Sequence, residues 1–575
     1  MRVKITKSKN FTHYSIIQDI TTITGRRTTK VYENIGNDED LKRRAGNKNP
    51  MMWLGEYVAK LNQEYKKKDI PILIKKHENQ IIEKDKQRLF NGGYLFAQDI
   101  YYKLGLDKIC DEISKRHQFK YDLNSILSRL IYGRILYPGS KLATLKISER
   151  FLENHNFDLQ HMYRALEVIN KESDYIQSEL YKNSAKYMNR NNRVLYYDCT
   201  NFFFEIEQDD DFRKYGVSKE NRPNPIVQMG LFMDGDGIPL AFCMNPGNTN
   251  EQTTLKPLEK KIIEDFNLSK IVVCTDAGLA STDNRKFNDT NTRRFITTQS
   301  IKKLNSELQN WVFDKTGWHI EGLDKVIDIS KLDEDEELAE KFKNLTFYKE
   351  KWIKGKDLEQ RIIVTFSIRY RDYQRNIRNS QIARASKLIA SNPKKIGKPR
   401  QNDFKRFIET IVTTDSGEQA SKTAYSIDTS VIQEEMKYDG LYAVCTNLND
   451  DVLEIIKANH RRWEIEECFR IMKSEFKSRA VYLSREDRIK AHFTTCFIAL
   501  MIFRYIEKRI DSKYTAYEIL DALRDMNFLK ENQGFIPTYT RTDLTDLLHD
   551  KFGFRTDFEI LSEKNLLNIF KNTKK

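Results

Sequence analysis

Alternating and helical patterns of apolar residues divide the first third of the chain into two regions. Residues 1–80 mix short alternating segments with a basic helical stretch, which predicts a small strand-rich N-terminal module. From about 81 to 190, apolar residues recur at three- and four-residue spacing, which predicts helices. A DNA-binding domain and a plain packing bundle account equally well for this helical region.

After about residue 191, β-branched and aromatic runs replace the helical pattern. Residues 191–300 predict three successive strands, two of them flanking a D-G-D-G turn, then a helix and a short buried strand closed by Ala-Gly. Three strands, a helix and a further strand form the order of a ribonuclease-H-like core. We therefore predict an α/β fold with the first part of such a core here.

A mixed, charged region with strand-like pieces then interrupts the core at residues 301–450 and predicts an inserted strand-rich domain. Residues 451–575 are predicted to supply the second part of the core and a helical C-terminal region. The longest apolar run, Phe493–Phe503, is too short to span a bilayer and predicts a buried helix. We expect no membrane partner.

Composition favours a polyanionic partner. Lys and Arg total 97 against 83 acids, which gives a net charge of +14 and a pI near 9.1, as suits a nucleic-acid-binding protein. The seven cysteines include no C-x-x-C pair, which argues against a disulfide framework and a zinc site and predicts a reducing, cytoplasmic location. No P-loop or dinucleotide fingerprint is present, so the sequence does not support a nucleotide-driven motor.

The stretch "RRWEIEECFRIMKSEF", residues 461–476, carries the clearest charge pattern. On an α-helix, one face collects a row of charged side chains: Arg462, Glu466, Arg470, Lys473 and Lys477. An apolar stripe beside this row is predicted to face the core, while Glu464, Glu467 and Glu475 are predicted to face water. Considered by itself, Glu466 with Arg462 could also be a surface ion pair worth about 0.3 to 0.5 kcal/mol.

Two further acids stand at the strands of the predicted core. Asp198 lies inside an apolar strand, where burying an unpaired carboxylate would cost several kcal/mol. Asp276 ends the buried run "IVVCTD", where α/β sheets commonly present functional groups, although either aspartate could serve a loop or cap a helix. With Glu466 they make three carboxylates, a set that favours two hard cations such as Mg²⁺ or Mn²⁺ and phosphodiester chemistry.

Several activities fit three acids beside a row of bases. A structure-selective nuclease on such a core would cleave DNA without strand transfer. A non-catalytic DNA-binding protein would keep the bases and need none of the acids. A carboxylate-pair glycosidase fits the acids in isolation but not the bases or the net charge.

Longer stretches of the chain resemble bacterial insertion-sequence transposases of the DDE type. The similar text includes "YYDCTNFFFE", "RKYGVSKENRPNPIVQMGLFMDGDGIPLAFCMNPGNTNEQTTLKP", "IVVCTDAGLAS", "DGLYAVCTNLND" and "RRWEIEECFRIMKSEFKSRAVYLSREDRIKAHF". The resemblance is to the superfamily marked by Y-x2-R-x3-E-x6-K and to its branch with a large insertion. It implies a metal-dependent transposase that acts on double-stranded DNA, at element ends and target, as a synaptic homodimer.

The resemblance also assigns residues. It places the family's catalytic and metal-binding acids on Asp198, Asp276 and Glu466, and its phosphate-binding Arg and Lys on Arg462 and Lys473. The signature tyrosine falls on Asn459, which departs from the family's pattern. The resemblance implies that a tyrosine at this position contacts DNA, so the departure predicts weaker binding of DNA ends by this chain.

Overall fold

The computed structural model describes residues 1–8, 11–21, 27–46, 48–68, 77–355, 357–391, 403–413, 422–479 and 481–575. The chain forms two compact units, Met1–Lys86 and Gln87–Lys575. The first contains an antiparallel sheet and two helices: β1 (Arg2–Ser8), β2 (Phe11–Thr21), β3 (Arg27–Gly36), α1 (Asp38–Ala45) and α2 (Pro50–Lys68). Tyr14 and Ile16 of β2 are buried and share a core with Leu41 of α1 and Leu54 of α2.

The second unit begins with a helical layer. Its elements are β4 (Leu89–Asn91), α3 (Tyr94–Lys103), α4 (Leu106–Arg116), α5 (Leu123–Leu136), α6 (Lys141–Ile147), α7 (Leu159–Lys171) and α8 (Ser173–Tyr187). Many side chains of α3 and α5 are fully buried, because these helices share one hydrophobic core with the strands and helices that follow. The helices predicted for residues 81–190 are therefore present, and they pack against the core.

The predicted ribonuclease-H-like topology is confirmed. The core consists of β5 (Val194–Phe203), β6 (Ile226–Met233), β7 (Pro239–Pro246), α9 (Leu255–Phe266), β8 (Ile271–Thr275), α10 (Thr282–Phe287) and β9 (Arg293–Thr298). Strands β5, β6 and β7 form an antiparallel meander, and β8 and β9 add parallel to β5, which gives the spatial order β7-β6-β5-β8-β9. The fold is thus a mixed α/β structure built around this sheet.

Residues 301–450 extend the same sheet. Their elements are α11 (Ser306–Phe313), β10 (Trp318–Ile320), β11 (Leu323–Ile327), α12 (Lys331–Glu334), α13 (Glu336–Phe342), β12 (Phe347–Lys354), β13 (Glu359–Phe366), α14 (Ile368–Ser391), β14 (Ile408–Thr413), β15 (Lys422–Ile427), α15 (Thr429–Met436) and β16 (Leu441–Thr446). Strand β16 pairs antiparallel with β9 and links β13, β12, β10 and β11 to the core strands. The domain boundaries at 80, 190, 300 and 450 stay predictions.

The remaining helices close the core. They are α16 (Val452–His460), α17 (Trp463–Arg470), α18 (Glu486–Arg509), α19 (Ala516–Asp525), α20 (Asp543–Phe552) and α21 (Glu563–Asn572), with the hairpin β17 (Asn527–Glu531) and β18 (Gly534–Pro537). By length and hydropathy alone α18 could cross a membrane, but 94% of its apolar window is buried within the protein. The buried helix predicted at Phe493–Phe503 is confirmed.

Candidate active site

Two of the predicted acids lie side by side on neighbouring parallel strands. In the register of β5 and β8, Tyr196 stands opposite Cys274. Asp198 and Asp276 follow at the next position on the same face of each strand. Asp276 comes directly after the end of β8, and its Oδ1 accepts a hydrogen bond of 3.0 Å from the Leu279 N–H. The strand register therefore pairs these two carboxylates.

Burial dominates the electrostatics of Asp198. Loss of water raises the pKa of its carboxyl to about 6; Lys219 opposes this rise, and the charge of Asp276 adds to it. The Cys199 N–H, which donates to Asp198 Oδ1 at 2.7 Å, and the Arg462 guanidinium also favour the ionised form. Since ionisation is costly here, a bound cation would be favoured at this position.

Glu466 reaches this pair of aspartates through Arg462. The Arg462 Nη1 lies 3.1 Å from Glu466 Oε1, on the first turn of α17, and the glutamate side chain is 57% exposed. Burial disfavours the charge of Arg462, but Tyr442, Glu466 and the two aspartates outweigh burial and raise the pKa of its guanidinium. One arginine therefore interacts with all three predicted acids.

Arg462 also keeps an unused donor. Its Nε is buried and has no hydrogen-bond partner among the residues that the structure describes. A buried guanidinium N–H without an acceptor is unfavourable, and a phosphate oxygen would satisfy it. The feature fits the predicted role of Arg462 in binding DNA.

Sequence reasoning missed two residues beside Asp198. The Lys219 ammonium contacts the Cys199 carbonyl and lies 3.2 Å from Glu251 Oε1. Lys219 belongs to the loop between β5 and β6, and Glu251 opens a short 3₁₀ turn before α9. Neither segment has a periodic pattern, so the only signal was their place in the stretch that resembles transposases. The ammonium supplies positive charge next to the buried carboxylate.

The predicted row of bases is only partly assembled. The Lys473 side chain is mostly buried, and its Nζ lies 3.1 Å from Glu220 Oε1. Glu220 directly follows Lys219 in the chain. Arg470 instead pairs with Glu467 on the exposed side of α17, and Lys477 is exposed with a positive φ of 45°. A wide π-helical turn, Ile471–Glu475, follows α17 and changes the angular spacing of an ideal α-helix. Arg470 thus has Glu467 as its partner, and Lys477 lies beyond the π-helical turn.

Glu464 corrects one expectation for this helix. It was predicted to face water, but it is buried and accepts hydrogen bonds from Arg461 and from Arg504 of α18. Gly237, in the D-G-D-G turn, has φ of 79° and leaves no room for a Cβ beside these side chains. The predicted solvent face of α17 is thus partly an internal contact with α18. The predicted apolar stripe is buried as expected: Ile465, Cys468, Phe469, Met472 and Phe476.

Asn459, at the position of the signature tyrosine, is buried at the end of α16. The residue is 4% exposed, and its side chain donates a hydrogen bond of 3.1 Å to the Tyr442 hydroxyl. The amide is therefore held by another side chain.

The carboxylate oxygens of the three acids are suitable ligands for a hard cation, but the side chains do not converge on one point. Among the described residues, no three His, Cys, Asp or Glu side chains converge closely enough to hold a metal ion. Glu466 is turned toward Arg462, and the Lys219 ammonium lies beside Asp198. The paired aspartates have oxygen donors of the type that Mg²⁺ prefers, and their burial favours a compensating cation. Asp198 and Asp276 fit such an ion, with Glu466 within the same charged group.

Comparison with known families shows the family to which the chain belongs. The family model described as "Transposase DDE domain" matches residues 201–502, more than half of the chain. The chain belongs to the DDE transposase family. The match includes Asp276, Arg462, Glu466 and Lys473 and begins just after Asp198.

The chain also has weak similarity to solved structures of transposases. The piggyBac transposase synaptic complex with hairpin DNA has 8% identity and a TM-score of 0.36, over 84% of each chain. The Mos1 transposase paired-end complex with left transposon end has 14% identity and a TM-score of 0.12, over 40% of this chain and 62% of that one. No curated protein matches the chain significantly. The family match alone carries the assignment.

Proposed function

We propose that the protein is the DNA transposase of a bacterial insertion sequence. It would hydrolyse a phosphodiester at each element end and then join the freed 3′ hydroxyl to target DNA by direct transesterification. The observation that carries the proposal is the pairing of Asp198 with Asp276 beside Arg462, which also binds Glu466. Family membership supports the reading of this group as the site of DNA chemistry.

The three acids are proposed to hold the catalytic ions. Asp198 and Asp276 would be the first ligands, and Glu466 the third once its ion pair with Arg462 is exchanged. Two bound Mg²⁺ or Mn²⁺ ions would supply the positive charge that activates the attacking oxygen and stabilises the leaving oxygen. Because phosphoryl transfer depends mainly on positioning and charge, the protein needs no external energy source.

The bases are proposed to hold the DNA backbone. Arg462, with its unpaired Nε, would bind a phosphate next to the acids, and Lys473 a second one after release from Glu220. Arg470 and Lys477, which lie farther along the same segment, are proposed as outer backbone contacts. Such contacts make affinity fall as salt rises and carry no sequence choice by themselves.

The cellular setting follows from this function. Double-stranded DNA is the proposed partner, both as element ends and as target. Two copies of the chain would hold the two ends in a synaptic homodimer. We propose a cytoplasmic protein that is associated with the nucleoid when bound to DNA.

Product analysis tests the proposed function. Purified protein would be incubated with labelled linear DNA from the flanks of its own gene and a supercoiled plasmid, with Mg²⁺ or with EDTA. We expect Mg²⁺-dependent cleavage near the flanks and labelled DNA joined to the plasmid. Nicks without joined products would favour a nuclease on the same core, and binding without cleavage would favour a non-catalytic derivative.

A further inference from the structure

The Tyr442 hydroxyl lies close to the candidate site but comes from β16, not from the helices α16 and α17. Tyr442 lies on β16, the last strand of the region 301–450, opposite Thr365 of β13, and β16 pairs with β9 from Val444 onward. Its hydroxyl is 3.1 Å from Asn459 Nδ2 and 2.7 Å from Thr298 Oγ1. The phenol is therefore fixed from two sides, at the seam between β9, β16 and α16.

Tyr442 borders a cavity whose lining includes Glu466, one of the three candidate catalytic acids. The cavity has a volume of about 350 Å³, and Tyr442, Asn459, Arg462 and Glu466 are among its lining residues. Tyr370, the third residue of α14, lines the same cavity. The residues that carry the unpaired Nε, the exposed carboxylate and the fixed phenol therefore line one cavity.

The hydrogen bonds around Tyr442 allow its proton to turn toward a ligand. A phenol has one donor and two acceptor sites, and Asn459 Nδ2 can only donate to it. When Thr298 donates as well, both acceptor sites are used and the phenol O–H points to a third partner. An acceptor-only anion that also binds Arg462 is the partner that this arrangement fits best.

We propose that Tyr442 donates a hydrogen bond to a DNA phosphate held by Arg462 beside Glu466. The hydroxyl that is missing at Asn459 of α16 is in this chain supplied by β16, and Asn459 serves to fix it. Tyr442 is thus a DNA-binding residue of the reaction site. The inference rests on the proposed function, since it assigns a further contact to the same DNA.

The test measures DNA-binding affinity and asks whether the effect of Tyr442→Phe depends on the charge of one particular backbone phosphate. Duplexes of the flanking DNA would carry one neutral methylphosphonate at successive positions around the mapped cleavage site, and dissociation constants would be measured for each. We expect Tyr442→Phe to weaken binding of unmodified DNA about tenfold, because a hydrogen bond to a charged group is lost. At one position, the methylphosphonate should weaken the wild type equally and the variant no further.

Tyr370→Phe is the matched control, because it removes a hydroxyl from another tyrosine that lines the same cavity. It should show the wild-type response at the phosphate that couples to Tyr442. A uniform loss of affinity in Tyr442→Phe, without coupling to any phosphate, would mean a purely structural role and would overturn the inference. If wild type and Tyr442→Phe bind all duplexes alike while the wild type cleaves, the inference is wrong and the proposed function stands. If the wild type neither binds nor cleaves, both are wrong.

Discussion

Replacing Asp198 by Asn is expected to abolish DNA cleavage and, in the same protein, to raise its thermal stability at neutral pH. Removing one carboxylate from the proposed ion-binding set removes several kcal/mol of transition-state stabilisation, or roughly a thousandfold in rate. The gain in stability has a separate cause, which is the burial that raises the pKa of this carboxyl to about 6. Cleavage of the flanking DNA with Mg²⁺ measures the first effect, and thermal unfolding in EDTA the second.

The pH dependence of the stability effect has a definite sign. The Asp198 pKa is higher in the folded chain, at about 6, than its ordinary value of 3.8. Between these values the folded state binds more protons than the unfolded state, so this residue makes stability fall as pH rises. Above pH 6 the full cost is present, on the order of 1 to 3 kcal/mol. Wild type and Asp198→Asn should therefore differ most above pH 6 and converge as the pH approaches 4.

Asp211→Asn provides the matched control. Asp211 lies on the loop between β5 and β6 with a fully exposed side chain, so its replacement should change neither cleavage nor the melting temperature. An Asp198→Asn variant that cleaves at the wild-type rate would remove Asp198 from the proposed catalytic set. A melting temperature at pH 7.5 below that of the wild type would contradict the account of its burial.

The second large effect concerns Glu464, two residues before Glu466 in the same helix. Glu464→Ala is expected to destabilise the unit Gln87–Lys575 by about 3 kcal/mol, because removing one member of a buried ionic group leaves the others poorly compensated. Arg504 would lose an acceptor at 3.1 Å while remaining almost fully buried, with Glu507 as its other carboxylate partner. The midpoint of urea unfolding, followed by tryptophan fluorescence, measures this loss.

Glu466→Ala is the control within the same helix. It removes an exposed glutamate from its ion pair with Arg462, which keeps the charges of Asp198 and Asp276, and should cost less than about 1 kcal/mol. The two variants remove the same side chain from the same helix, so helix propensity cannot explain a difference between them. Equal midpoints for Glu464→Ala and Glu466→Ala would contradict the assignment of Glu464 to the interior.

Local patterns were sufficient to predict the core strands and two of the acids. The period of apolar residues and the turn residues predicted β5 to β8 and α9, and an acid at the end of a buried strand indicated Asp276. Asp198 was selected because burying an unpaired carboxylate within an apolar strand is energetically costly, which suggests a functional role. The parallel register of β5 and β8 then accounts for the pairing of the two aspartates.

Features that depend on distant segments were not accessible in this way. The burial of Glu464 depends on Arg504 of α18, forty residues later in the chain, so the helix pattern alone assigned it to water. Lys219 and Glu251 come from loops, and the addition of β16 to β9 joins strands far apart in sequence. The π-helical turn after α17 likewise changed the angular position of Lys477, which follows it, relative to Glu466. Contacts between segments far apart in the chain, and a local departure from α-helical geometry, leave no periodic pattern of apolar residues in the sequence.

The most direct test of the account is cleavage and joining of the flanking DNA, with Mg²⁺, by the wild type and by Glu466→Gln. Glu466 is exposed and, among the residues that the structure describes, forms an ion pair with Arg462 alone, so the variant should fold and bind DNA like the wild type. If Glu466 completes the ion-binding set with Asp198 and Asp276, the wild type should yield joined products and the variant neither nicks nor joined products. Joined products from Glu466→Gln at the wild-type rate would show that Glu466 is only the surface partner of Arg462, and would contradict the proposed catalytic centre.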